Sequence, residues 1–194
     1  TFLRVVDYKT GKKTLDYCDL EQGLGLQMLL YLFALEQGGT FLGERRVGAG
    51  VQYFPARAPY VPLSDKKSGP QKRSGMLLAE EDILKAMDDP ASGRLCCKWD
   101  KDGALSGDIA SRSQFRLLKS HVYRKLREMV NAVAAGQVEP NPYTRGSSFD
   151  SCTYCPYAAV CHKETVTQRR DFKKIEGVEF WQRLSEEEHH GTHK

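Results

Sequence analysis

Two side chains of opposite charge, Asp7 and Lys9, stand two apart in the stretch VVDYKTGK at residues 5–12. Residues two apart on a strand share a face. An extended FLRVVDY segment therefore turns Val6 and Tyr8 one way, and Asp7 and Lys9 the other. Thr10-Gly11 ends the run, which places the pair at the rim of a sheet, where loops and ligands meet. A carboxylate and an ammonium in that position suit metal-assisted phosphodiester hydrolysis. The carboxylate holds Mg²⁺, which polarises a phosphoryl oxygen and makes hydroxide from bound water. The ammonium orients that water and offsets charge building on the phosphate. The same residues also read as an ion pair on a solvated strand edge, and the pattern alone leaves both readings open.

Three further groups of residues carry chemistry. Gln27 and Tyr31 lie four apart on an apolar helical stretch and so share one face. A glutamine in such a stretch needs hydrogen-bond partners, either inside a core or at the strand-end site. Cys152-x2-Cys155-x5-Cys161 offers three thiolates with the spacing of a zinc site or a cluster edge. Cys18, Cys96, Cys97 and His162 are the fourth-ligand candidates within the chain. Three unrelated loop thiols are the plain alternative. Arg112, Arg116 and Lys119 fall on one helical stripe, with Arg127 further along. Such a stripe attracts phosphates without reading sequence, and it equally serves as the solvated face of an amphipathic helix.

These groups need a scaffold, and 194 residues at 40% hydrophobic and 28% charged suffice for one domain with its own core. The net charge of +4 is a mild excess, but it is concentrated in three places. Ser111 to Glu128 holds six Lys/Arg against one Glu; the others are KKSGPQKR, Lys66–Arg73, and QRRDFKK, Gln168–Lys174. Six cysteines in a chain of this length are too few for a disulfide scaffold. The longest apolar stretch, Leu24–Leu35, contains Gln27 and is too short to span a bilayer. No membrane partner is implied, and the expected location is cytoplasmic.

Residues 1–58 are expected to supply a core part: strand Phe2–Tyr8, helix Leu20–Gln37 closed by Gly38-Gly39, and strand Glu44–Ala56. Residues 59–75, rich in Pro, Gly and Lys, read as a basic surface insertion. Residues 76–147 read as a helical part. Within it, Met76–Asp89 starts extended and becomes a short helix, and Leu95–Leu105 folds as a hairpin around Asp102-Gly103. The best helix runs from Ser111 to Gly136, capped by Ser113, with apolar Phe115, Leu118, Val122, Leu126, Met129 and Val133 spaced 3, 4, 4, 3 and 4. Cys96 and Cys97 read as small buried residues. Residues 148–175 form the cysteine segment, and 176–194 a C-terminal tail whose EEEHHGTHK end reads as frayed.

These pieces, in this order, resemble one family. VVDYKTGK is similar to the second half of the PD-(D/E)xK nuclease motif. LQMLLY, Leu26–Tyr31, resembles the Q-x3-Y motif of the members that process DNA ends. CTYCPYAAVC, Cys152–Cys161, resembles the C-terminal part of their iron–sulfur staple. About 120 residues separate Tyr31 from Cys152, and AGVQYFPARAP and QVEPNPY lie between them. That layout is similar to AddB-type helicase–nuclease subunits over nearly the whole chain, Phe2 to about Phe172.

The resemblance implies an α/β restriction-endonuclease-like core, a mixed sheet flanked by helices, with a C-terminal iron–sulfur staple. It implies a Mg²⁺-dependent deoxyribonuclease, an exonuclease, acting in a bacterial helicase–nuclease complex for double-strand-break processing and recombinational repair. Asp7 and the backbone carbonyl of Tyr8 would be Mg²⁺ ligands, Lys9 the catalytic lysine, and Gln27 and Tyr31 site-lining residues. Cys152, Cys155 and Cys161 would be three ligands of a [4Fe–4S] cluster whose fourth cysteine lies outside this chain. Arg112, Arg116 and Lys119 would contact the single-stranded product of unwinding, and the partner would be an AddA-type helicase–nuclease subunit. The family's first acidic metal ligand and first cluster cysteine have no match here. The expectation is therefore a fragment lacking its N-terminal strands, inactive alone and not rescued by Mg²⁺ or Mn²⁺. The alternative is a non-catalytic DNA- or partner-binding module of the same fold, held by an iron–sulfur or zinc site. No Walker-type loop is present, so ATP chemistry would belong elsewhere.

Overall fold

The computed structural model describes residues 1–38, 46–57, 71–146, 149–161 and 169–191. Its first element is the expected strand, β1 (Phe2–Lys9). Leu3 and Val5 pack on the main core, while Arg4 on the opposite face donates to Gln52 at 3.0 Å. The two-residue alternation that sets Asp7 and Lys9 together therefore holds.

The single helix expected over Leu20–Gln37 is two helices, α1 (Tyr17–Glu21) and α2 (Gln27–Gln37). Asp16 caps α1 by accepting from the amides of Cys18 and Asp19. Gly23 (φ 80°) and Gly25 (φ 65°) break the run. Both are in the left-handed region, where a Cβ is costly, so the chain turns a corner there and restarts at Gln27. Hydrophobic periodicity runs straight through this corner and hides it.

The strand expected over Glu44–Ala56 is β2 (Val47–Pro55), and residues 44 and 45 lie outside the described residues. Of the expected basic insertion, residues 59–70 also lie outside them. Ser74 and Gly75, read as its end, open β3 (Ser74–Leu78) instead. A short helix, α3 (Glu81–Met87), follows. β4 (Cys97–Trp99) and β5 (Leu105–Gly107) make the expected hairpin. β6 (Ile109–Ala110) leads into α4 (Arg112–Ala134). Ser111, not Ser113, is the cap of α4. Its Oγ accepts from the Gln114 amide and the Gln114 side chain accepts from the Ser111 amide, a reciprocal box that satisfies two orphan donors. Gly136, at φ 66°, ends the run as expected.

The main sheet has the order β1-β2-β3-β6, parallel, antiparallel and parallel in turn. This is the expected mixed sheet. The β1–β2 register steps from Leu3↔Gly48 to Arg4↔Gly50, a bulge in β2. Gly50 lies at φ 136°, and a Cβ there would stand 2.4 Å from the Met76 carbonyl oxygen. α2 and α4 cover one face: Leu29, Leu32, Leu118 and Val122 meet Val51, Met76 and Leu78 in one core. Each such leucine contributes about 1.5–3 kcal/mol by leaving water. On the other face Leu77 packs with Leu84, Leu95, Cys96 and Cys97, so the two adjacent cysteines are buried as expected. The apolar stripe of α4 packs on the core as far as Leu126; Met129 and Val133 are exposed.

Beyond α4, β7 (Tyr143–Arg145) is flanked by β8 (Phe149–Asp150) and, after the short helix α5 (Ala158–Cys161), by β9 (Arg170–Asp171). The tail expected to fray forms helix α6 (Gly177–Gly191). Phe180 and Leu184 enter the main core, and Arg183 bonds Glu21 on α1 and Glu179 on its own helix. The charged end of the tail hides the apolar stripe that precedes it.

Candidate active site

The rim of the sheet at the ends of β1 and β2 brings the sequence-predicted residues together. Asp7 pairs with Tyr53 in the parallel register and shares its face with Lys9. The Lys9 ammonium stands 2.7 Å from Asp7 Oδ2, both side chains about one-third exposed at 38% and 32%. That hydrogen bond holds the Lys9 ammonium above the ordinary lysine range, so Lys9 is a cation at neutral pH and not a base. Burial pushes the neighbouring Tyr53 phenol up, which keeps it neutral.

The Gly23–Gly25 corner delivers Gln27 to the same place. Gln27 is exposed at the first turn of α2, and its Nε2 donates to Tyr31 Oη at 2.9 Å. The pair is thus not a satisfied core glutamine; it stands on the outer face of the helix. Asp7, Lys9, Gln27 and Tyr53 line one cleft of about 390 Å³, together with Gly25 and the 10–13 turn. Asp7 is the only carboxylate among the described residues lining it.

The donor set tests two groups. A half-exposed carboxylate at a strand end, engaged by a displaceable ammonium, fits an oxygen-seeking cation. The thiols fit less well. Cys152 and Cys155 are half-buried on successive turns, the Cys155 amide bonding the Cys152 carbonyl at 3.2 Å, and Cys161 is exposed at the end of α5. Among the described residues no three His, Cys, Asp or Glu side chains converge as a metal site. The described fourth-ligand candidates do not meet them either. Cys18 is buried, accepting from the Ile175 amide at 3.0 Å. Cys96 and Cys97 lie in the second core, and His162 lies outside the described residues.

The α4 cations share a face but are individually occupied. Arg112 donates to Glu80, Nη2 to Oε2 at 2.7 Å. Arg116 stands 3.7 Å from Glu188, and Lys119 stands 2.6 Å from Glu36. Sequence reasoning missed the cations nearest the site. Lys12 and Lys13 follow the Thr10-Gly11 turn, and Lys72 falls in the expected insertion. The lysine pair directly after a chemistry-bearing strand end was the available signal.

Comparisons with known proteins bear on this geometry. Residues 1–162 match the sequence profile of the PD-(D/E)XK nuclease superfamily. The chain is 31% identical over 199 residues to the B subunit of the ATP-dependent helicase/deoxyribonuclease of Symbiobacterium thermophilum, covering 95% of this chain and 17% of that protein. The protein of the same name from Clostridium novyi is 30% identical over 203 residues, covering 96% and 18%. That of Moorella thermoacetica is 31% identical over 198 residues, covering 93% and 17%. The chain thus spans about a sixth of the length of the curated relatives it matches.

Proposed function

The chain belongs to the PD-(D/E)XK nuclease superfamily, and from that premise we propose that it is the nuclease domain of an AddB-type subunit. Its reaction would be Mg²⁺-dependent hydrolysis of DNA phosphodiesters, exonucleolytic, on single strands produced by an AddA-type helicase–nuclease partner. The setting would be double-strand-break processing in the bacterial cytoplasm. One observation carries the reading: the Asp7–Lys9 pair and Gln27 face a single cleft at the sheet rim.

The Asp7 carboxylate and the Tyr8 carbonyl would hold the cation. When bound, Mg²⁺ supplies Lewis-acid polarisation of the phosphoryl oxygen and acidifies a coordinated water. Lys9, now bonded to Asp7, would be free to donate to the attacking water or to a non-bridging oxygen of the scissile phosphate once the carboxylate is otherwise engaged, offsetting the growing negative charge. Gln27 would present its amide at the mouth and help place the strand, with Tyr31, which does not line the cleft, bonded to it from the next turn of α2. The iron–sulfur staple is proposed from the resemblance of Cys152–Cys161 to the family's cysteine motif. Cys152, Cys155 and Cys161 would close on it only with a further ligand and a rearranged segment, and cleavage takes no step through it.

The test is digestion of single-stranded DNA in Mg²⁺ by the helicase–nuclease complex containing this chain, wild type beside Asp7→Ala, with DNA affinity measured on the same samples. Cleavage assigned to this subunit is expected to fall at least 10²-fold with affinity kept within about twofold, the scale of losing a metal-polarised centre. Equal cleavage by both proteins would show that the partner does the cutting and that this domain only holds DNA.

A further inference from the structure

Beside the Asp7 cleft lies a larger one of about 660 Å³. The two share Lys9 to Lys13 and Tyr53, so they adjoin at the 10–13 turn. Six cations line the larger cleft: Lys9, Lys12, Lys13, Arg57, Lys72 and Arg73. Asp108 is its only carboxylate among the described residues. Two of the six are occupied. Lys9 pairs with Asp7, and Arg73 pairs with Asp88 at 2.7 Å while stacking 4.1 Å over the Phe54 ring. Lys12, Lys13, Arg57 and Lys72 have no ion pair among the described residues. Lys72 is attracted to Asp108 and Lys13 to Asp19 only at longer range, so the cleft keeps a positive excess that favours an anion.

The walls are tied together. Ser74 Oγ donates to the Lys13 carbonyl, joining the turn after β1 to the start of β3. Gln71 Nε2 donates to the Arg57 carbonyl at 2.7 Å, joining the segment before β3 to the end of β2. The Arg73 amide donates to the Arg94 carbonyl at 3.0 Å. The turn that carries Lys12 and Lys13, the end of β2 and the 71–73 segment are thus tied together around an open trough. Tyr53, Phe54 and Pro55 of β2 also line it, with the Phe54 ring under the Arg73 guanidinium. A positively charged groove that tracks the backbone is how single strands are gripped without sequence preference. The α4 stripe lacks this character, since each of its three cations already has a carboxylate.

We propose that the trough formed by the 10–14 turn, the end of β2 and residues 71–73 is the track along which a single DNA strand reaches the Asp7–Lys9 cleft. Lys12, Lys13, Arg57 and Lys72 are its phosphate-positioning residues. The proposal rests on the nuclease reading above and gives its substrate a path. Phosphates on the track put the following phosphate over Lys9 and Asp7, and the shared turn sets that register. The positioning is sequence-independent, as interactions with the DNA backbone are.

The test measures anisotropy of a labelled oligothymidine on the 194-residue chain across a salt series. It compares wild type, Lys12→Glu/Lys72→Glu, and Arg116→Glu as the α4 comparison, with melting curves recorded for each. The double variant is expected to bind at least tenfold more weakly at low salt. Its log–log salt slope should be shallower by about 0.7 for each phosphate no longer engaged, while Arg116→Glu stays within twofold. A second measurement serves if the double variant melts early: photo-crosslinking of a 4-thiothymidine oligonucleotide to the wild-type chain, with crosslinked peptides mapped. Crosslinks within residues 8–14 and 71–74 are expected. Unchanged affinity and slope in a folded double variant, crosslinks confined to 112–127, or tighter binding of a matched duplex each overturn the proposal. Asp7→Ala separates this result from the nuclease reading: it should not weaken oligothymidine binding, whatever it does to cleavage in the complex.

Discussion

Burial pushes the Cys96 thiol up to about 12 and also raises Cys97 and Cys18. At pH 8 a thiol with that pKa has about a thousandfold fewer thiolates than an ordinary cysteine, and the thiolate is what reacts. Alkylation of the folded chain with iodoacetamide is therefore expected to modify Cys152, Cys155 and Cys161 and to spare Cys18, Cys96 and Cys97 until urea is added. Mass spectrometry of the alkylated peptides reads this directly; Cys96 labelled as fast as Cys161 would contradict the burial. If iron and sulfide are supplied and a cluster closes, the three reactive thiols become the protected ones, and iron content rises in step. The acid, the lysine and the Gln–Tyr pair were legible at this scale, because two-residue and four-residue spacings are local. The pairing of Arg112 with Glu80 and of Lys119 with Glu36 was not, since the partners are 32 and 83 residues away. A charge on a helix cannot show from sequence whether it is free for DNA.

Among the elements, β1, β2, β3 and the hairpin were legible from alternation and turn residues, and α4 from its period. The errors fell where one signal masked another. Apolar residues on both sides of the Gly23–Gly25 corner gave one continuous helix where the chain makes two, and the second serine of a Ser-x-Ser pair stood in for the cap. That choice is testable. Ser111 Oγ accepts from the Gln114 amide at 3.2 Å, whereas Ser113 is already inside the helix and its hydroxyl meets only Ser111 Oγ, at 2.8 Å. Ser111→Ala is expected to lower stability by about 1 kcal/mol, the usual cost of a lost N-cap, and Ser113→Ala by less than half of that. Urea unfolding of both variants checks the order, and a larger loss for Ser113→Ala would return the cap to Ser113. The same helix carries Phe115, Leu118 and Val122 into the core beneath the strand-end site. Its start therefore matters to the cleft only through packing, and cleavage by a Ser111→Ala complex at low temperature should match wild type.

At the scale of the whole molecule, the last helix closes on the first, and His121 stands at the joint. Its ring is buried on α4, with Nε2 3.0 Å from the Leu20 carbonyl on α1. Nδ1 is 2.8 Å from Arg124 Nη2 and 3.5 Å from Glu187 on α6, and the Phe180 ring crosses it edge-on at 6.1 Å. Glu187 is also bonded to Arg124. Burial lowers the His121 pKa, and the Arg124 charge adds to that, against the pull of the Leu20 carbonyl and Glu187. The folded state therefore holds a neutral imidazole at a pH where the unfolded chain already binds the proton. With more protons on the unfolded side, stability rises with pH. The contribution is complete above the unfolded value of about 6.5 and is lost as pH falls below it, by at most about 1.4 kcal/mol per pH unit until the folded pKa is reached. Urea midpoints of the wild-type chain are expected to fall between pH 7 and pH 5, and those of His121→Gln to fall less over the same interval. The glutamine keeps a donor for Leu20 but carries no titrating proton. Glu187 acts in a lower window. Its pKa is depressed despite the cost of burial, because of the Arg124 bond, so its contribution is lost only as pH falls below the ordinary carboxylate range. Parallel pH profiles for wild type and His121→Gln would remove His121 as the cause of the loss between pH 7 and pH 5.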